Sequence, residues 1–110
     1  MVNTVTERVA KGAALFDQKK PGWASLINLD KLDVENPDVC PCAQLSTRPK
    51  FYADGAQEIL GIDIHDRKNN RFMSDHGFNC LVNVSADEAD REFEQLTEAW
   101  KNEIRKRLLP

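Results

Sequence analysis

The residue types able to hold a metal or act as a nucleophile gather in one stretch: all three cysteines and both histidines lie between Cys40 and Cys80. Cys40-Pro41-Cys42 and His76-Gly77-Phe78-Asn79-Cys80 offer thiolate and imidazole donors, the set that closes a tetrahedral zinc centre. Zinc bound by Cys40, Cys42, His76 and Cys80 would clamp the middle of the chain. The spacing argues against it. Paired zinc ligands usually have about two to four residues between them, whereas only a proline separates Cys40 from Cys42. The alternative is that a cysteine packs as a small apolar residue and the others are incidental. Cys80 as a nucleophile with His76 as its base requires a helical segment, in which i and i+4 share a face. Gly77 and Asn79 oppose a helix there, and no carboxylate or oxyanion donor pair is assignable. Gly77-Phe78-Asn79 reads instead as a tight turn that plugs Phe78 into a core.

Composition narrows the function classes. The chain has 110 residues, enough for one domain over residues 1–110 that buries roughly 65% of its unfolded surface. Its hydrophobic fraction of 41% beside 30% charged residues places it with soluble globular chains. A formal net charge of −3 gives no electrostatic reason to expect nucleic acid, since phosphate-binding domains usually carry a basic surplus. No apolar run approaches the roughly 20 residues that a spanning helix needs, and the polar, charged start does not resemble a signal peptide. The expectation is a cytoplasmic protein with reduced thiols, for which the glycosylation-like Asn83-Val84-Ser85 is accidental. No phosphate-cradling glycine loop, catalytic carboxylate pair or serine-hydrolase motif is present in the sequence.

Two helical patterns flank this middle stretch. Thr4 and Glu7 have capping-box spacing, and Val5, Val9, Ala13 and Phe16 follow on one face. Gly12 weakens that helix by about 1 kcal/mol relative to alanine, which a close crossing by another element would justify. Pro21 ends the pattern, and Trp23, Leu26 and Ile27 form a short stripe expected to fold back on the first helix. Residues 28–38 read as irregular, closed by Asn36-Pro37-Asp38. Pro41 opens a short helix through Leu45, ended by Pro49. Phe51, Tyr52, Ala56, Ile59 and Leu60 give a further helical period stopped by Gly61. Ile62 and Ile64 alternate with polar residues, so a hairpin joining Ile62–His65 to Arg71–Met73 competes with a loose loop, and Leu81, Val82 and Val84 allow another short strand.

The last helix has the plainest pattern. Ser85 and Glu88 repeat the capping box, and Ala89, Phe93, Leu96, Trp100, Ile104 and Leu108 share a face. Its start is acidic and its end basic, as the helix macrodipole favours. The basic cluster from Lys101 to Arg107 is the one place where weak nucleic-acid binding has a foothold.

Several short motifs together resemble a family of small uncharacterised proteins encoded by actinobacterial phages (mycobacteriophages among them), prophages and their hosts. They are Gly12-Ala13-Ala14-Leu15-Phe16-Asp17, Pro21-Gly22-Trp23, Ile27 to Asp33, Cys40, Gln44-Leu45, Gly55 and Leu60-Gly61. The likeness continues through His76-Gly77-Phe78-Asn79, Leu96-Thr97, Trp100 and Ile104. Cys42 and the polar run from Asp66 to Asn70 depart from it. The resemblance implies a phage or prophage origin, the cytoplasm of a bacterial host and a compact fold, and it supplies no activity.

The resulting expectation is an all-α or mostly α single-domain bundle with room for a minor β-hairpin between Ile62 and Val84. Its first and last helices pack together. The function expected is that of a non-enzymatic accessory protein with a host or phage protein partner, with no membrane and no cofactor. A zinc-stabilised module on Cys40, Cys42, His76 and Cys80 and a weak nucleic-acid binder are the alternatives. An apolar stripe running to Leu108 and Leu109 also allows a homo-oligomer.

Overall fold

The capping signals are realised at both long helices. In this computed structural model, which describes residues 4–47, 52–80 and 84–108, α1 spans Val5–Lys19 and α5 spans Ala86–Leu108. The Glu7 amide donates to Thr4 Oγ1 at 3.1 Å, and the Glu88 amide donates to Ser85 Oγ at 3.2 Å. Each bond satisfies an amide that the first turn would leave open. A 3₁₀ turn at Trp23–Leu26 follows Gly22, which adopts φ +82°. Then come α2 (Pro41–Leu45), α3 (Tyr52–Gly55) running into a π turn (Ala56–Leu60), and a 3₁₀ turn (Arg67–Asn69) that leads into α4 (Asn70–Asp75).

The first and last helices pack on each other, as their apolar faces anticipate. Val9, Ala13 and Phe16 of α1 meet Leu96, Trp100 and Ile104 of α5 in one buried core. Phe16 is its hub, with ring centroids 5.1 Å from Trp23, 5.1 Å from Phe78 and 5.5 Å from Trp100. Trp100 is fully buried and donates from its indole nitrogen to the Gly77 carbonyl at 2.7 Å. That bond removes the polar penalty of sinking an indole N–H into the core. Gly12 earns its place here: a β-carbon on it would collide with the His76 carbonyl and lie 2.9 Å from the Trp100 ring.

Four expectations need correction. No strand forms among the described residues, so the hairpin over Ile62–His65 and Arg71–Met73 is absent. Local side-chain bonds win instead: Asp63 accepts from the His65 amide, Asp66 accepts from the Lys68 amide, and Asn69 donates to the Asp63 carbonyl. Such Asx turns offer the backbone a partner that competes with a ladder. Residues 70–75 then coil as α4, which buries Met73. Leu26 does not join the stripe; Trp23 and Ile27 are buried, while Leu26 stands 57% exposed. Leu108 likewise leaves the core at 49% exposure, because α5 runs on past the core layer. Phe93 and Ala89 are only half-buried. Pro49, Phe51, Leu81, Val82 and Leu109 fall outside the described residues.

Candidate functional site

Cys40 and Cys42 are buried at the junction of α2 with α3. The backbones approach so closely there that a β-carbon on Gly55 would strike the Cys42 carbonyl. Burial pushes the Cys40 thiol up to about 11 and the Cys42 thiol well above its ordinary value. Desolvation thus favours the neutral thiol over the thiolate at both positions. The partly buried Tyr52 hydroxyl, close enough to feel both thiols, is also raised, chiefly by desolvation.

Cys80 lies elsewhere, beside a buried arginine. Arg8 is 1% exposed and donates from Nε to the Ser74 carbonyl at 2.7 Å and from Nη2 to the Asn79 carbonyl at 2.8 Å. Its Nη2 also reaches Glu92 Oε2 of α5 at 3.3 Å. One guanidinium thus ties α1 to the 74–80 turn and to α5. Ser74 completes the turn by donating from Oγ to the Cys80 carbonyl at 2.7 Å. The Cys80 thiol is raised, first by burial and then by the nearby Glu92 carboxylate, with Arg8 opposing weakly. It is not an activated nucleophile.

His76 faces another way. Its ring stacks on Phe72 with centroids 4.0 Å apart, and Nδ1 lies 2.8 Å from the Phe72 carbonyl. A carbonyl only accepts, so Nδ1 carries the proton and Nε2 is the open nitrogen. His76 borders a shallow cleft on α1 with Lys11, Leu15 and Gln18. It caps the end of α4, after which Gly77 adopts φ +74°. The helical i and i+4 relation required for a His76–Cys80 pair is therefore broken. Among the described residues, no three His, Cys, Asp or Glu side chains converge to hold a metal ion. The structure leaves Cys40 and Cys42 near each other and does not gather His76 and Cys80 around them.

Two surface features remain. At the corner where the 3₁₀ turn meets the end of α5, Arg107 forms a fork with Asp17 at 3.0 and 2.8 Å and lies over the Trp23 ring at 5.5 Å. Trp23 donates from its indole nitrogen to the same Asp17 carboxylate at 2.9 Å. The Arg107 hydrogen bond, helped by Trp23, holds the Asp17 carboxyl below its usual range against the cost of burial. Arg107 also reaches Glu103, as does Lys106. Burial pushes the Glu103 carboxyl up, but these two cations outweigh it and leave Glu103 below the usual range. Two members of the basic cluster, Lys106 and Arg107, are therefore matched to carboxylates. A small cleft of about 250 Å³ between Leu108 and residues 22–25 opens beside this corner.

The second feature is a groove of about 810 Å³ between the first half of α5 and residues 30–35. Asp30, Asp33, Glu35, Asp90, Glu94 and Glu98 line it, with Lys31 as the one cation among the lining residues. The Val34 amide donates to Thr97 Oγ1 at 3.0 Å and fixes the loop beside the helix. Neither this groove nor buried Arg8 follows from residue type alone. Comparison with protein-family models, curated proteins and solved structures finds no match.

Proposed function

We propose that the chain is a non-enzymatic accessory protein of phage type that acts in the cytoplasm of a bacterial host by binding another protein, host or phage. The carrying observation is that two large hydrophobics, Leu26 at 57% and Leu108 at 49%, stand exposed among the described residues, with Leu108 lining the cleft beside Trp23. Burying one leucine fully contributes roughly 1.5–3 kcal/mol, so each is an anchor point for a partner's apolar side chain. The Asp17–Arg107 pair supplies a polar rim. The phage-type origin rests on the sequence motifs around Gly12, Pro21-Gly22-Trp23 and His76-Gly77-Phe78-Asn79. No helix among the described residues is long and apolar enough to cross a membrane.

Affinity capture from mycobacterial or related host lysates, with and without infection, tests the reading. The wild-type bait should retain a specific protein whose recovery falls at least about tenfold with Leu26→Asp, as expected for an interface anchor. Recovery of bait alone, or equal recovery by both baits, overturns it.

A further inference from the structure

The outward face of α5 carries its charges in two blocks, acidic up to Glu98 save for Arg91 and basic from Lys101 on. Asp87, Asp90, Glu94 and Glu98 follow one another at three- and four-residue steps and are exposed, and Lys101 and Arg105 continue the same stripe. Like charges at such steps repel within a helix, whereas alternating signs would stabilise it. The macrodipole accounts for charge only within the first and last turns. Glu94, Glu98 and Lys101 lie in the middle of a 23-residue helix, beyond its reach. From Asp87 to Glu98 the face is acidic but for Arg91, from Lys101 onward it is basic, and the loop at residues 30–35 adds further carboxylates to the acidic part.

We propose that this face is a homodimer interface in which α5 pairs antiparallel with α5 of a second copy. A two-fold axis between Thr97 and Glu98 sets Glu94 opposite the second copy's Lys101 and Asp90 opposite its Arg105. Symmetry repeats both pairs. The basic end of each helix then enters the acidic groove of the other, and the like-charge repulsion within each stripe is relieved. Arg105 gives up little, because its 3.5 Å contact with Glu98 joins two largely exposed side chains. This pairing is independent of Leu26. It rests on charge complementarity between groups that are exposed or, for Lys101, half-buried, and is therefore salt-sensitive.

Light scattering and sedimentation of the full chain test it. At about 0.01 M salt, where charges act over roughly 30 Å, the mass should rise from the 12.5 kDa monomer towards twice that value as protein approaches about 0.3 mM. About 0.3 M salt should return it to monomer. Glu94→Lys or Lys101→Glu alone should raise the dimer dissociation constant at least about tenfold, and the double variant should restore it to within about threefold. Arg105 and Glu98 meet within one helix at the same seven-residue spacing, so the readout of restoration is the dimer dissociation constant itself and not the stability of the monomer. Asp90→Lys with Arg105→Glu reads the same register at a second position. A monomer at every concentration, a dimer indifferent to the single reversals, or doubles that fail to restore association would overturn the interface.

Discussion

Gly12 shows how one missing side chain sets the spacing of the core. Alanine there would gain about 1 kcal/mol of helix propensity. Its β-carbon would also strike the His76 carbonyl, which is backbone and held by neighbouring turns. Overpacking of this kind costs about 1–3 kcal/mol or more and wins over propensity. Gly12→Ala is therefore expected to destabilise the fold by about 2 kcal/mol and lower the melting temperature by roughly 10 °C, read by calorimetry. An unchanged or raised melting point would show that the 74–80 turn moves aside. A close crossing at Gly12 was legible from the sequence, because glycine inside an apolar helix face otherwise only costs stability. Arg8 was harder to read. Its acceptors at Ser74 and Asn79 lie 66 and 71 residues away, so nothing near it in the chain announces its burial.

At the level of elements, the end of α5 is locked to the end of α1 by Asp17 and Arg107, with Trp23 beneath them. Asp17 titrates below its ordinary 3.8 because Arg107 hydrogen-bonds its charged form. A carboxyl whose folded value is depressed stabilises the fold above its unfolded value and loses that contribution as pH falls through the folded one. Glu103 adds to the same acid limb from its ordinary 4.5 downward. Asp17→Asn should thus melt lower than wild type at pH 7, and the gap should close as the pH drops from about 4 to about 2. Asp17 is about half exposed, so solvent screening keeps the gap to a few degrees, roughly 2–5 °C. A gap that persists undiminished at about pH 2 would assign the effect to packing instead. The helices themselves were readable from caps and period, whereas the segment 62–75 was not. Its alternation of apolar and polar residues suits a strand, yet Asp63, Asp66 and Asn69 bind their own backbone and hand the chain to α4.

Across the whole molecule, the two chain ends close on a single aromatic cluster, in which Trp23 and Trp100 stand 5.8 Å apart edge to face. Trp23 follows α1 and Trp100 belongs to α5, so tryptophan emission reports the core that joins the ends of the chain. Urea unfolding followed by fluorescence and by far-ultraviolet circular dichroism should give one midpoint, with a slope of roughly 1–1.5 kcal/mol per molar urea. Separate midpoints would mean that α5 melts apart from the rest. Cys40 and Cys42 pack in the same core, and burial raises both thiols.

Local rules in the sequence alone determined the helical class, both N-terminal caps, the left-handed stop at Gly61 and the turn that plugs Phe78. Each depends on residues within a turn or two of one another, so period and capping chemistry are enough to reveal it. Only the tertiary structure decided that Arg8 is buried, that Leu26 and Leu108 are left outside, that His76 turns away from the cysteines and that an acidic groove flanks α5. Those outcomes depend on which distant backbone atoms and surfaces meet, and proximity between remote segments leaves no period in a chain.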